Sequence, residues 1–130
     1  MIAYDFDGVL VPDIDHIDCD QDVFEQVFLG IRPIFVPTTP WVIVTGRTDG
    51  VLLRRWLDKH LPNTPPQNVF INHQDLLPHH HKSAVLRLLD YDIFVESDPE
   101  QTRLIREAGH RVVHFGDYCK KSGILSTKKA

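Results

Sequence analysis

The stretch Met1-Ile2-Ala3-Tyr4-Asp5-Phe6-Asp7-Gly8 decides the fold, because a short apolar run leads directly into two aspartates and a glycine. A short apolar run that ends at turn residues is typical of a buried strand. In an open α/β sheet, ligands bind beyond the carboxyl ends of the strands. The stretch therefore predicts a strand that carries a polar site at its end.

Short apolar runs alternate with amphipathic stretches along the rest of the chain, which is typical of βαβ units. The predicted strands are 1–4, 41–44, 69–71, 93–95 and 111–114, and the predicted helices are 22–29, 48–61, 82–89 and 99–108. We expect a three-layer α/β/α sandwich with a central, mostly parallel, five-stranded sheet of Rossmann-like type. A single catalytic domain, residues 1–116, would be followed by a basic, loosely held tail, 117–130.

Composition favours one ordinary globular domain, because the 130 residues are 42% hydrophobic and 25% charged. No apolar run approaches the roughly 18 to 20 residues of a membrane helix, and the first residues contain no basic segment typical of a secretion signal. The two cysteines, Cys19 and Cys119, predict free thiols in a reducing compartment. We therefore expect a cytoplasmic location and no membrane partner.

Charge is unevenly distributed, although the net charge is only -4. Residues 1–31 contain eight acids and no Lys or Arg, whereas residues 120–130 contain four lysines and no acid. This asymmetry indicates a cation site that faces an anion-attracting surface.

The two aspartates of the opening stretch are candidate metal ligands. Side chains alternate along extended backbone, so Asp5 and Asp7 face the same site when Phe6 turns away. Two close carboxylates repel each other unless a cation or a proton lies between them. Oxygen ligands favour a hard divalent cation such as Mg²⁺.

Further candidate residues follow, each beside a predicted strand end or helix start. Thr45 and Gly46 follow the second strand, where a hydroxyl and a backbone N–H can bind a phosphoryl oxygen. Lys82 is expected to open a helix. A cation at that position interacts unfavourably with the helix dipole, so binding of an anionic ligand explains the lysine better than helix stability does. Glu96 and Asp98 follow the fourth strand, and either could complete a metal site. Asp98 is also a predicted N-cap, with Gln101 as its capping-box partner.

Together these residues resemble the motifs of the haloacid dehalogenase superfamily of aspartyl phosphatases, over about residues 1–109. Asp5-Phe6-Asp7-Gly8-Val9-Leu10 is similar to the first motif and Val42-Ile43-Val44-Thr45-Gly46-Arg47 to the second, with Lys82 and Val95-Glu96-Ser97-Asp98 in the third and fourth. The fourth departs from the family pattern, because Ser97 separates the two acids. The ligand could therefore be Glu96, Asp98 or both.

The resemblance implies a Mg²⁺-dependent phosphomonoester hydrolase with a HAD-like fold. Asp5 would be the nucleophile and Asp7 the general acid and base, while Thr45 and Lys82 would hold the phosphoryl group. Gly46 and Arg47 would bind substrate, and Mg²⁺ would be held by Asp5, Asp7 and Glu96 or Asp98.

The intervals between these motifs are too short for a large inserted domain over the site. The resemblance then implies an open site, which in this family acts on bulky substrates such as polynucleotide ends or phosphoproteins, or is covered by a neighbouring subunit in an oligomer. The alternatives are a phosphatase of small nucleotides or sugar phosphates, and a catalytically silent binding domain of the same fold. A response-regulator receiver is disfavoured, because its third strand should end in an aspartate and this one ends at Asn72-His73.

Three other features are not assigned to the chemistry. The acidic segment 13–22 lacks the glycine and glutamate of an EF-hand loop, so it is expected to be a solvated flap in which Asp20 caps the next helix. His79-His80-His81 is expected to be a loop from which His81 could touch substrate. Neither Cys19 nor Cys119 is assigned as a nucleophile, because the sequence shows no base at a spacing that would activate either thiol.

Overall fold

The computed structural model describes residues 1–13 and 19–121. Asp15 and Asp18 of the acidic segment, and residues 122–130 of the expected tail, lie outside the described residues. The strands are β1 (Ile2–Tyr4), β2 (Trp41–Val44), β3 (Val69–Phe70), β4 (Ile93–Glu96) and β5 (Val112–His114). The helices are α1 (Gln21–Gly30), α2 (Gly50–His60), α3 (Pro78–Leu88), α4 (Pro99–Glu107) and α5 (Phe115–Lys121). None of the helices in these ranges is long and apolar enough to cross a bilayer.

The five strands form one parallel sheet in the order β3-β2-β1-β4-β5. The strand that contains Ile2–Tyr4 lies at the centre and pairs with both β2 and β4. The chain builds one half of the sheet outward from β1, then crosses back to build the other half. This reversal places a crevice at the carboxyl ends of β1 and β4, where open α/β sheets bind ligands. The predicted α/β fold with a five-stranded sheet is confirmed, and the sheet is entirely parallel.

Alternate strand residues belong to two buried clusters, as the pleat of a sheet requires. Tyr4 and Ile43 belong to one cluster and Ala3 to the other. Helices α1 and α2 contribute to the first cluster, for example through Trp56, whereas α3 and α4 contribute Leu86 and Ile105 to the second. The helices thus pack on the sheet through two separate apolar cores, which hold the strand ends in place.

Two predicted N-caps and one predicted glycine stop are observed at the ends of α1 and α4. Asp20 caps α1 by accepting from the Val23 N–H at 2.9 Å, as expected. Asp98 caps α4 by accepting from the Glu100 N–H at 3.1 Å. The chain leaves that helix at Gly109, which has a φ of 99°. Such a left-handed residue is a common way to end a helix.

Helix α3 begins earlier than predicted and changes the interpretation of two features. Its first residue is Pro78, whose fixed φ suits the first helical turn. His79-His80-His81 is therefore helical, and the prediction of a loop is wrong. Lys82 lies in the second turn, so the prediction that it opens the helix, with the dipole argument built on it, is also wrong.

Helix α5 was not predicted, and it contains the first residues of the expected tail. Tyr118 lies within hydrogen-bond distance of Tyr4 through the two hydroxyls, 2.8 Å apart, and Cys119 is fully buried. Residues 117–121 are therefore packed on the domain rather than loosely held. Their pattern is too short to show helical periodicity in the sequence.

Candidate active site

A pocket of about 470 Å³ lies at the carboxyl ends of β1, β2 and β4. Seven of the eight predicted site residues line it: Asp5, Asp7, Gly46, Arg47, Lys82, Glu96 and Asp98. The eighth, Thr45, does not. Residues distant in the chain meet here because parallel strands deliver their carboxyl ends to one edge of the sheet.

Asp5 follows β1 directly and is held by backbone on both sides. Its own N–H donates to the Val95 carbonyl at 2.9 Å, which continues the pairing with β4. Its Oδ1 accepts from the Phe6 N–H at 2.8 Å. The Phe6 ring turns into the core against Trp56, 5.0 Å between centroids. Phe6 therefore turns away as predicted, and the Asp5 carboxylate stays at the base of the pocket.

A buried cluster of two carboxylates and one ammonium forms the floor of the pocket. Lys82 Nζ lies 3.2 Å from Asp5 Oδ2 and 2.8 Å from Glu96 Oε1. All three side chains are almost fully removed from solvent. The cluster carries one more negative than positive charge, and burial makes that imbalance costly.

The pKa values of the cluster reflect this imbalance. Burial raises the pKa of the Asp5 carboxyl well above its usual range, and the charge of Glu96 raises it further against the opposing effect of Lys82. Burial alone would lower the pKa of Lys82, but Asp5 and Glu96 outweigh it, so that pKa is raised. These shifts favour the charged form of Lys82 and oppose ionisation of Asp5, an effect that a further cation in the pocket would offset.

Asp7 is held by Arg47 in a two-pronged ion pair. The Arg47 Nε and terminal N–H groups donate to the two carboxylate oxygens at 2.9 and 2.8 Å. The guanidinium also lies over the Phe28 ring, 4.6 Å from its centroid. Arg47 lines the pocket, but its Nε and one terminal nitrogen already donate to Asp7. In this arrangement Arg47 therefore orients the Asp7 carboxylate. The expectation that Arg47 binds substrate remains a prediction.

Thr45 and Gly46 occupy the end of β2. Thr45 is fully buried, and its Oγ1 accepts from the Arg47 N–H at 3.1 Å. The hydroxyl therefore supports the turn that aims Arg47, and it does not face the pocket. Gly46 lies on the wall, where an added Cβ would come within 3.2 Å of the Pro78 side chain.

Gly8 and Ser97 bring the two sides of the crevice into contact. Ser97 Oγ donates to the Asp7 carbonyl at 3.0 Å. Gly8 has a φ of 78°, and a Cβ there would lie 2.4 Å from Ser97 Oγ. Only glycine fits this approach without strain.

The oxygen atoms around Asp5 suit Mg²⁺, which the family resemblance implies. Asp5 Oδ2 and the Asp7 carbonyl, which keeps a second lone pair, are hard donors, and Asp98 lines the same pocket. Glu96 is the more fully paired of the two candidate acids, because Oε1 accepts from Lys82 while Oε2 accepts from the N–H groups of Ser97 and Asp98, whereas Asp98 accepts through one oxygen only. Within residues 1–13 and 19–121, no three His, Cys, Asp or Glu side chains form a metal-binding group. Mg²⁺ usually keeps several waters and binds one or two carboxylates, so this set is compatible with it.

The histidines of α3 and the two cysteines lie outside the pocket. His79 and His80 line a groove beside α4, and His81 packs near the Phe70 carbonyl in another cavity. None of the three lines the pocket, so contact of His81 with substrate there is not supported. Cys19 is exposed and Cys119 is buried, and both are free thiols away from the pocket walls.

Gln101 is the pocket residue whose role sequence reasoning missed. Its Oε1 accepts from Lys82 Nζ at 2.7 Å, so the expected capping box with Asp98 is not formed by this side chain. Its position in the first turn after β4 was the available signal, because that turn borders the crevice. Comparisons with protein-family models, with curated proteins and with solved structures found no match.

Proposed function

We propose that this chain is a Mg²⁺-dependent phosphomonoester hydrolase that acts through a phosphorylated Asp5. The observation that carries the proposal is the buried Asp5–Lys82–Glu96 cluster at the end of the central strand. Hydrogen bonds hold the Asp5 carboxylate in place beside the Lys82 ammonium, and both groups line the pocket. A fixed carboxylate nucleophile beside a cation is the arrangement that phosphoryl transfer requires.

The fold assigned to this function is the three-layer, HAD-like sandwich without a large cap domain. The two apolar clusters on alternate strand residues support three layers. The segment between β1 and β2 contributes α1, whose Phe28 packs against Phe6, 5.8 Å between centroids. That segment therefore belongs to the core as far as it is described, which supports an open pocket.

In the first step, an Asp5 carboxylate oxygen attacks phosphorus and the bond from phosphorus to the ester oxygen breaks. Lys82 offsets the negative charge that develops on the phosphoryl oxygens. Asp7, released from Arg47 in its protonated form, gives a proton to the departing oxygen. The products of this step are the alcohol and phosphorylated Asp5.

In the second step, water attacks the phosphorus atom of phosphorylated Asp5. Asp7 accepts a proton from that water, the bond from phosphorus to the Asp5 oxygen breaks, and inorganic phosphate leaves. The pairing of Asp7 with Arg47 suits this step, because it orients the carboxylate. Mg²⁺, held by Asp5, the Asp7 carbonyl and Asp98, would supply positive charge that keeps Asp5 ionised and shields it from the phosphate.

The substrate proposed for the open pocket is a bulky phosphomonoester such as a polynucleotide end. One observation favours a small phosphomonoester instead. The pocket is lined by five acids, Asp5, Asp7, Asp13, Glu96 and Asp98, against two bases, Lys82 and Arg47. A polyanion would be repelled by that surface, whereas a single phosphate on a neutral group would not.

The test is Mg²⁺-dependent release of phosphate from p-nitrophenyl phosphate by the wild type and Asp5→Asn. We expect turnover that is lost in the variant and in EDTA. Absence of turnover in the folded, Mg²⁺-supplied wild type, together with no phosphorylation or beryllofluoride adduct at Asp5, would refute the proposal. A panel of 3′- and 5′-phosphorylated oligonucleotides, nucleotides and sugar phosphates then distinguishes the two substrate classes.

A further inference from the structure

The Lys82 ammonium is surrounded by three protein oxygens in this structure. An ammonium has three N–H donors. Lys82 Nζ has three oxygen neighbours, Glu96 Oε1 at 2.8 Å, Gln101 Oε1 at 2.7 Å and Asp5 Oδ2 at 3.2 Å. A phosphoryl oxygen can therefore reach Lys82 only by replacing one of them.

Gln101 is the partner that is easiest to replace. Glu96 is fully buried, and its other oxygen accepts from two backbone N–H groups, so it cannot move away. Asp5 is anchored by the Phe6 N–H. Gln101 is neutral, only partly buried and on the pocket wall. A hydrogen bond to a neutral amide is weaker than one between opposite charges, so an anion displaces the amide at the lowest cost.

We propose that the Gln101 amide oxygen occupies the position on Lys82 that a substrate phosphoryl oxygen takes. This inference rests on the proposed function, because it assumes that Lys82 binds the phosphoryl group. Gln101 is then a positioning residue that keeps the ammonium aimed at the pocket when substrate is absent. On binding, the amide turns away from Lys82.

The test measures binding of inorganic phosphate to the full-length, Mg²⁺-supplied protein by calorimetry, beside inhibition of p-nitrophenyl phosphate hydrolysis by phosphate. Two variants should change affinity in opposite directions. Gln101→Ala removes a competitor for Lys82 and should tighten phosphate binding several-fold, up to about tenfold. Gln101→Glu places a carboxylate there, so phosphate binding should weaken by about tenfold or more.

The matched control is Gln67→Glu, the same chemical change at an exposed residue before β3, at the opposite edge of the sheet. It should bind phosphate like the wild type. Circular dichroism and thermal denaturation establish that each variant is folded. A purely structural role for Gln101 would lower the melting temperature of both variants without opposite shifts in affinity.

The outcomes separate this inference from the proposed function. Hydrolysis by the wild type, with unchanged phosphate affinity in both Gln101 variants, overturns the inference alone. Phosphate binding with the opposite shifts, but without Asp5-dependent hydrolysis, supports the inference and overturns the enzyme proposal. A folded wild type that neither binds phosphate nor hydrolyses the ester overturns both.

Discussion

Replacing Asp5 by asparagine should stabilise the metal-free protein while it abolishes phosphate release. In the metal-free protein, Asp5 and Glu96 share the one ammonium of Lys82. Asparagine removes the excess charge and keeps an oxygen for the Phe6 N–H, while its amide nitrogen takes the place of Oδ2, from which it can donate to Glu96 but cannot accept from Lys82. Replacing a whole buried ion pair or triad by neutral residues is often neutral or stabilising by about 1–4 kcal/mol, and because Asp5→Asn leaves the Lys82–Glu96 pair intact, we expect a gain at the lower end of this range.

The pH dependence of this gain follows from the raised pKa of Asp5. Burial, reinforced by Glu96, makes the folded protein bind the Asp5 proton more tightly than the unfolded chain does. Metal-free wild type should therefore lose stability as the pH rises above about 4, the ordinary range of an aspartate. The advantage of Asp5→Asn should grow over the same interval.

Lys82→Met should have the opposite effect on stability. It leaves the carboxylates of Asp5 and Glu96 buried together without a cation. Removing one partner of a buried ion pair costs about 3–5 kcal/mol, and the variant should lose that amount. Both variants should be inactive, so activity alone does not separate them, whereas the sign of the stability change does.

The assay is urea denaturation followed by the fluorescence of Trp41 and Trp56, both fully buried. In EDTA, Asp5→Asn should unfold at higher urea concentration than the wild type and Lys82→Met at lower. Mg²⁺ at 100 times its dissociation constant should stabilise the wild type by about 2.7 kcal/mol, and this increment should be absent in Asp5→Asn.

A matched control is Asp58→Asn, the same change at an exposed position of α2. It should alter stability by less than about 0.5 kcal/mol. Destabilisation of metal-free Asp5→Asn by more than about 1 kcal/mol would refute the electrostatic account of the cluster, because neutralisation would then cost more than the charge imbalance.

Three other substitutions test separate parts of the structure. Gly8→Ala should lower stability by about 1–3 kcal/mol in thermal denaturation, because its Cβ would lie 2.4 Å from Ser97 Oγ at a φ of 78°; an unchanged midpoint would contradict that close approach. Arg47→Lys keeps the charge but loses the two-pronged contact with Asp7, so kcat for p-nitrophenyl phosphate should fall about tenfold with little change in KM; a raised KM at constant kcat would instead place Arg47 on the substrate. Burial, reinforced by two nearby arginines, lowers the pKa of His110, so the wild type should lose stability as the pH falls from about 7 to 5.5, and His110→Gln should flatten this dependence. Parallel stability–pH curves for the two proteins would show that His110 does not contribute.

Most elements of the fold follow from local signals in the sequence. Trp41–Val44 was predicted with its observed bounds, because four consecutive apolar residues fill a strand that is buried on both faces. Asp20 and Asp98 were recognised as helix caps, since capping depends only on neighbours in the chain. The start of α3 was missed because its first turn contains proline and three histidines, without an apolar face.

The sequence predicted which residues form the candidate site. It did not predict which of their side chains form ion pairs and hydrogen bonds with one another. Glu96 and Asp98 could not be separated as metal ligands by spacing. The structure favours Asp98, because both Glu96 oxygens accept from Lys82 or from backbone N–H groups, whereas Asp98 uses one oxygen to cap α4. The spacing of Gln101 from Asp98 predicts a cap. Its actual contact is with Lys82, 19 positions away in the chain, and local spacing does not indicate such a contact.

The sequence by itself determined the parallel α/β class, the carboxylates at the end of the central strand and the edge of the sheet where a site belongs. These follow from periodicity and from residues adjacent in the chain. Only the tertiary structure decided which charges meet: Asp7 with Arg47, 40 positions apart, and Asp5 with Glu96 around Lys82. The physical reason is that ion pairing and desolvation depend on distance and burial in space, and short-range patterns in the chain encode neither.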